Sequence, residues 1–499
     1  MKILALEAST TSAKAMLYDT DTDTPLVRTA PYRRERWAKD PSLEAETVFQ
    51  CVLEAGRMVL EEYAAGASSV PADVPHAFVD IIALVGIWHS IVFCDSDLKP
   101  LTGVLKWDDT SPSSYCAELR ADAAFTDRYY HTSGCMVNAI YPFFKIGWLI
   151  RKGFDLAGCR LMNQGGYNNY RMTGERVTTR CNASGDGLLN IHKREYNWEM
   201  LDEFGVPHEA FSRLVDSEET FPLRKEIAER LGVRAGTPVL PSNADGGSNQ
   251  VGAGALRAGS MTFSVGTSGA LRIASDRPVI PQEPSTWCYL SPKGWLVGAA
   301  TNGCCNCVDD AKGSLFPASV SYGDIEKMLA EAEGEDADRV FRTPQFLPFT
   351  YGERCPGWND RKWGGWKDIR PEHDAVDRYI AVQQGVLFNL YQCYMLLTEG
   401  WDEPDRILLS GGILQSPFWS RMCADIFGKE MSVTGTEQES LLGGVVMAME
   451  SLGLIENAAD RTPAVIRTIR PDAGRHAAYS EKFDEYLRLY ARESEKLRS

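Results

Sequence analysis

Asp245 sits in "SNADGGSNQ", where an apolar run gives way to small polar residues. A Gly/Asn-rich loop of this kind can hold a carboxylate out toward a bound molecule, where it can accept a hydroxyl proton. Two other stretches suit phosphate. "LEASTTSAKAML" places Thr10, Thr11 and Lys14 around a turn between apolar runs, and "SVGTSGALR" places Gly266, Thr267, Ser268 and Gly269 around another. Hydroxyls and backbone N–H groups in such turns bind phosphate oxygens, and glycine lets the backbone come close. A third candidate is Ser410-Gly411-Gly412, where a strand meets a Gly-Gly turn and then a helix. The helix N-terminus after Gly412 would add partial positive charge. A proton acceptor together with several phosphate cradles is the equipment of phosphoryl transfer.

Local pattern alone also supports plainer readings. Asp245 reads equally as a loop aspartate closing an Asx-turn, and Asp109 as a cap or turn residue. His89 in "GIWHSIVFCD" reads as a core histidine. Trp88, Trp107 and Trp358 serve either as core or as apolar pocket walls. Cys304, Cys305 and Cys307 in "NGCCNCVDD" lack the second Cys or His pair that zinc requires, so they read as buried thiols beside a glycine turn.

The elements that must position these residues alternate between strand and helix. "KILALE" and "KAMLYD" read as paired strands around the first turn. "SLEAETVFQCVLEAGRMVLEEYAAG" reads as a helix capped by Ser42. "DIIALVGIWHSIVFCD" reads as two buried strands turning near Trp88 and His89, and "PFFKIGWLIRK" as a short amphipathic helix. "TPVLPSNADGGSNQVGAGAL" reads as strand, loop and helix start, with Pro238 and Pro241 at a boundary. The second half repeats the opening: "SMTFSVGTSGALRIAS" is strand, hydroxyl-rich turn, strand, and "GWLVGAATNG" a third strand. "RYIAVQQGVLFNLYQCYMLLTEG" has helical periodicity. "DRILLSGGILQSPFWSRMCADIFG" is strand, Gly-Gly turn and a helix capped by Ser416 with Pro417 first. A capping box, Thr436-x-x-Glu439, is expected to start the next helix. The repeated hairpin points to two α/β domains facing each other across a cleft.

With 499 residues the chain has room for two large domains or about three ordinary ones. A net charge of −16 argues against nucleic acid and anionic membranes as partners, while leaving room for a local basic pocket. Neither a secretory leader nor a membrane-spanning run is expected from the sequence. Thirteen cysteines, mostly within apolar segments, suggest reduced thiols and a cytoplasmic location.

These stretches, in this order over nearly the whole chain, resemble the FGGY carbohydrate kinases of the actin, Hsp70 and hexokinase superfamily. "LEASTTSAKAMLYD" is similar to the family's first phosphate hairpin, and "RWAKDP" to its Trp-x-x-x-Asp-Pro segment. "WHSIVFCDSDLKPLTGVLKWDD" is similar to its sugar-site stretch, and "YPFFKIGWLIR", with Lys145 and Trp148, to its first signature. "SVGTSGALR", "PFTYGERCPGWND" and "LLSGGILQSPFWSRMCADIFGKEM" match the later motifs. The resemblance implies two actin-like (ribonuclease H-like) α/β domains with a cleft between them: residues 1–240 with the sugar site, 241–455 with the nucleotide site, then a helical tail over 456–499. It implies Asp245 as catalytic base and His89, Trp107, Asp109 and Asp245 as sugar-binding residues. It implies Thr10, Thr11, Lys14, Gly266, Thr267, Gly411, Gly412 and Ser416 around ATP. Mg²⁺ often takes only one or two protein carboxylates, so Glu7 and Asp245 would hold it partly through water. The implied partner is a sugar or sugar acid, with homodimerisation left open.

The wording is nearest to gluconate kinases, notably "CYLSPKGWLVGAATNG". A ketopentose or polyol kinase such as a xylulokinase is the alternative enzyme, and a non-catalytic sugar or nucleotide sensor the alternative class. Lys106 and His89 are the expected cation and donor for a sugar-acid carboxylate. Three positions depart from the family: Glu7 replaces Asp, Ser9 replaces Gly, and Ser111 replaces Arg in the Trp-x-Asp-x-Arg of the sugar site.

Overall fold

A computed structural model describes residues 1–32, 44–66, 76, 78–359, 361–399 and 403–496. Ser42 and "RWAKDP" lie outside the described residues.

Alternating apolar side chains build the first sheet. It contains β1 (Lys2–Ala8), β2 (Ser12–Asp19), β3 (Thr24–Pro31), β4 (Val79–Gly86), β5 (Phe221–Pro222) and β6 (Pro238–Ala244), in spatial order β5-β6-β4-β1-β2-β3. Leu4, Leu6 and Leu17 pack on one face beneath helix α1 (Ala45–Ala65), while Ile3, Ala5, Met16 and Tyr18 fill the other. This is the period-two alternation of a strand buried on both sides. Pro238 and Pro241 lie within β6. The pairing of β6 with β4 shifts register between Leu240 and Asn243, where Pro241 has no N–H to donate. Between β4 and β6 the chain adds α2 (Pro142–Arg151), α3 (Gln164–Thr173) and α4 (Arg180–Gly185). Directly after β6 comes α5 (Asp245–Gly252).

The second sheet contains β7 (Ser260–Val265), β8 (Gly269–Ser275), β9 (Trp287–Leu290), β10 (Trp295–Thr301), β11 (Arg406–Ser410), β12 (Met431–Thr434) and β13 (Val465–Ile469), in order β9-β10-β8-β7-β11-β12-β13. Strands β7, β8 and β10 form an antiparallel meander, and β11 pairs parallel to β7. The first sheet repeats that plan: β1, β2 and β3 form the meander, and β4 pairs parallel to β1. Helices α6 (Cys305–Leu315), α7 (Tyr322–Glu335), α8 (Ala375–Thr398) and α9 (Pro417–Phe427) belong to this half. Helix α10 (Glu439–Ser451) follows β12, and α11 (Ala473–Glu495) buries Tyr479, Phe483 and Tyr486.

Helix α10 crosses back to the first sheet. Its Leu441, Val445 and Val446 pack on Ile3, Ala5 and Ile81 beside Val251 of α5. The α5–α10 crossing is close: a Cβ on Gly443 would lie 2.6 Å from the Ser248 carbonyl carbon, and one on Gly252 would lie 2.8 Å from that of Glu439. Small residues are what allow two helix backbones to meet this closely. The expected Thr436–Glu439 capping box does not form: α10 begins at Glu439, and Gln438 before it is left-handed (φ +54°) with no side-chain cap. Its first turn is engaged instead by the first hairpin, as described below. The α9 cap is as expected, with Ser416 Oγ accepting from Trp419 N at 3.1 Å and Pro417 opening the helix.

Candidate active site

Both hairpin turns stand at the ends of buried strands. At the first, Ser9 N donates to Ser12 O at 3.0 Å. Ser9 is absent from the residues with positive φ, so the turn does not need glycine there. Thr11 is exposed, and Thr10 Oγ1 accepts from the indole N–H of exposed Trp107 at 3.3 Å. At the second turn, Gly266 N donates to Ser268 O at 3.1 Å and leaves Thr267 exposed. Gly411 (φ +97°) lies against this turn: a Cβ there would meet the Val265 carbonyl oxygen and lie 2.6 Å from its carbon. Gly412 opens only a single 3₁₀ turn, Gly412–Gln415, and the α-helix starts at Pro417, so the expected helix N-terminus directly after Gly412 is displaced. Ser416 also donates to Glu326 at 2.7 Å. Beside Gly412 and Ser416 opens a cavity of about 780 Å³ walled by Val308, Tyr322, Tyr379 and Trp419.

Glu7 faces Lys14 across the β1–β2 pair. It is 3% exposed. Ser440 Oγ donates to its Oε1 at 2.8 Å, Lys14 Nζ stands 3.9 Å from Oε2, and Oε2 accepts no hydrogen bond. Lys14 also donates to Gln438 at 3.3 Å. Burial pushes the Glu7 carboxyl up, against the pull of Lys14 and Ser440, and Asp245 pushes it further up.

Asp245 is the first residue of α5, not a loop residue. Its carboxyl is pushed up by burial; Gly246 N–H, Arg272 and Lys14 oppose that. Gly246 makes the approach possible: a Cβ there would lie 2.6 Å from the Trp88 ring and 3.7 Å from Arg272 Nη2. Gly185 lies against the same indole, which is buried and donates to Cys181 O at 3.3 Å.

His89 (φ +53°) stacks on Trp88 with ring centroids 5.4 Å apart, and the rings of Tyr141 and Tyr289 meet it edge-on. The Tyr141 and Tyr289 hydroxyls are 2.7 Å apart, joining the two halves of the chain at this point. His89 Nδ1 is hydrogen-bonded to the Gly185 carbonyl, so it carries the proton and leaves Nε2 as an acceptor. Burial, Arg354, Lys145 and Arg272 push its pKa down to about 3. A neutral histidine can read a hydroxyl but brings no positive charge. Lys106 does not bring free charge either, because its Nζ pairs with Asp108 at 2.9 Å. The expected pair of carboxylate-reading groups is therefore unsuited to that task. Asp109 accepts from Ser111 N at 3.0 Å through its side chain, while its carbonyl accepts from buried Lys145 at 3.0 Å. Trp358 is 1% exposed and donates to Ser285 O at 2.7 Å, which makes it core beneath Arg354 and not an open wall.

Arg272, Arg354, Tyr141, Tyr289, Gln438 and Ser440 were not singled out in the sequence. Only Arg272 left a local signal there, as the one charge in the apolar strand "GALRIAS". Cys304 and Cys307 are buried, and among the described residues no cluster of three His, Cys, Asp or Glu side chains could hold a metal ion.

The residues present fit a divalent cation carrying a nucleotide. Two carboxylates raised by burial, one with an oxygen that accepts no hydrogen bond, gain from a cation nearby. The backbone notch at Gly411 and the cavity beside it leave room for a nucleotide.

Two meander-plus-parallel-strand sheets, each with a hydroxyl-rich hairpin and a cleft between the lobes, define the actin- and Hsp70-like class of α/β proteins. A model of the FGGY family of carbohydrate kinases matches this chain with its N-terminal domain over residues 2–252 and its C-terminal domain over residues 261–452. The chain belongs to that family, whose members carry out phosphoryl transfer and generally use ATP with Mg²⁺. It is 25% identical over 472 residues to a gluconokinase of Bacillus subtilis, covering 91% of this chain and 88% of that one. It is also 25% identical over 428 residues to a xylulose kinase of Escherichia coli, covering 83% and 86%. The crystal structure of a gluconate kinase from Lactobacillus acidophilus superposes with a TM-score of 0.88 at 24% identity, covering 98% of this chain and 97% of that one. Among the described residues no helix is long and apolar enough to cross a membrane.

Proposed function

We propose that this protein phosphorylates D-gluconate to 6-phosphogluconate with ATP and Mg²⁺. The observation that carries the catalytic part is Asp245. It opens α5 beside Trp88, Glu7 and Arg272, and its carboxyl is raised above the usual range. A base with a raised pKa holds the proton of a sugar hydroxyl more readily as that oxygen attacks. The His89 Nε2 acceptor and the Asp109 carboxylate orient the polyol against the Trp88 face. Thr10, Thr11 and Lys14 from one hairpin and Gly266 and Thr267 from the other contact the phosphates. Gly411, Gly412 and Ser416 lead into the nucleoside cavity. Glu7 and Asp245 hold the cation. Mg·ATP, when bound, supplies the phosphoryl group and the charge that neutralises it.

The retained Asp245 argues against a sensor without activity. The gluconokinases of two Bacillus species among the relatives favour gluconate. The xylulose kinases among them keep a ketopentose as the competing acceptor.

The test is Asp245→Asn, assayed over a panel of sugar acids, ketoses and polyols. We expect kcat to fall about 10²–10⁴-fold with folding and ATP binding kept. A variant retaining more than about a tenth of wild-type kcat would remove Asp245 from the base role. Turnover of a neutral ketose with none of gluconate would replace the substrate.

A further inference from the structure

We propose that Arg272, backed by Arg354, is the group that binds the carboxylate of a sugar-acid acceptor; this rests on the sugar-acid reading above. Arg272 sits on β8, opposite Thr262 of β7 and Gly298 of β10. Its neighbours Leu271 and Ile273 point into the second lobe's core, so strand alternation sends Arg272 to the opposite side. There its guanidinium lies over the start of α5, within 3.7 Å of the Cβ position of Gly246. The strand carries it about 10 Å from Gly269, away from the phosphate turn and along the sugar side of the cleft. Arg354 approaches from the "GERCP" segment, its guanidinium 5.8 Å above the Trp358 ring.

Neither guanidinium has a hydrogen-bonded partner or an ion pair among the described residues, and the Nε atoms of both are buried and unsatisfied. Both residues are part-buried, and a planar bidentate anion is the natural complement of a guanidinium whose Nε is buried and unsatisfied. Asp245 attracts Arg272 but makes no hydrogen bond with it; its Oδ1 accepts from Gly246 N–H at 2.7 Å. Lys145, the third cation near His89, is already used by the Asp109 and Ala139 carbonyls. In a chain of net charge −16, two guanidiniums that both bear on His89 and make no hydrogen bond mark a place for an acceptor that brings its own negative charge. A neutral ketose would leave both unpaired.

The experiment compares wild type, Arg272→Met and Arg272→Lys in steady-state assays with D-gluconate and with D-glucitol, which carries CH₂OH in place of the carboxylate. Calorimetry of gluconate binding supplements the kinetics, and a thermal melt reports folding. A lost charge-assisted pair is expected to raise the gluconate KM and Kd about 10–100-fold in Arg272→Met. The gluconate kcat should change far less, and Arg272→Lys should recover part of the affinity. The glucitol KM, where turnover is measurable, should move at least about tenfold less than that of gluconate. An unchanged gluconate KM and Kd in a folded Arg272→Met overturns the assignment. So does a fall in kcat alike for both acceptors, which would place Arg272 on the phosphates or on Asp245. Should the Met variant not fold, Arg272→Lys decides by the same KM-against-kcat split. Wild type that turns over neutral sugars and no sugar acid defeats the substrate reading itself, a result visible before any variant is made.

Discussion

Gly411→Ala is the sharpest perturbation of the nucleotide cradle. The backbone at Gly411 has φ +97° and ψ −170°, a region essentially confined to glycine, and entering it costs alanine about 1–3 kcal/mol. The new methyl would also lie 2.6 Å from the Val265 carbonyl carbon, whose oxygen it meets first. Ordinary carbon contacts begin near 3.5 Å, so backbone must move by about 1 Å, and overpacking of this kind costs about 1–3 kcal/mol. Together these give about 2–6 kcal/mol of destabilisation, centred on the contact between the two phosphate turns of the second lobe. A shift of about 1 Å at a positioning group also costs about 10²-fold in rate. The assay pairs urea denaturation with the ATP dependence of turnover. Gly313→Ala is the control, because that glycine lies inside α6 with nothing within 4 Å of its Cβ position. Alanine there should stabilise by about 0.5–1 kcal/mol with the ATP KM unchanged. A Gly411→Ala protein with wild-type stability and wild-type ATP KM would refute the cradle.

Glu7→Gln keeps shape and removes charge; activity should fall strongly and require more Mg²⁺, while the melting temperature changes little, and untouched magnesium dependence would remove Glu7 from cation binding. Sugar kcat/KM should show one acid limb, lying above the usual carboxylate range because burial raises Asp245, and activity should be lost as pH falls through it. A cation favours the charged carboxylates, so more Mg²⁺ should move that limb to lower pH. His89, at about 3, contributes no limb between pH 5 and 8. A limb insensitive to Mg²⁺ would count against both assignments.

The strands and hairpins were legible because "KILALE", "KAMLYD" and "SMTFSV" carry their packing in local alternation. Asp245 reads from the sequence as a loop residue before a helix start, whereas it is the first residue of that helix. "NADGG" has loop composition, yet Gly246 and Gly247 are there for close approach: Cβ atoms would lie 2.6 Å from Trp88 and 2.7 Å from Cys181 Sγ. Tertiary contact overrode propensity. The same holds at Thr436–Glu439, where the box pattern is intact in sequence but Gln438 and Ser440 are claimed by Lys14 and Glu7. Arg272 stayed unread because what gives it meaning, Gly246 and the His89 pocket, arrives from distant parts of the chain.

Those contacts also explain how the first hairpin tolerates glutamate where the family has aspartate. The extra methylene extends the Glu7 carboxylate to Ser440, on a helix that packs against the first sheet although it follows a strand of the second. One oxygen is anchored there, and the other accepts no hydrogen bond and stands 3.9 Å from Lys14 Nζ. The charge at the first hairpin is therefore held by the start of α10, through Lys14–Gln438, Glu7–Ser440 and the glycine-lined crossing of α5 and α10. Asp245 begins α5, so the proposed base, the proposed cation ligand and the lobe junction share one packed unit.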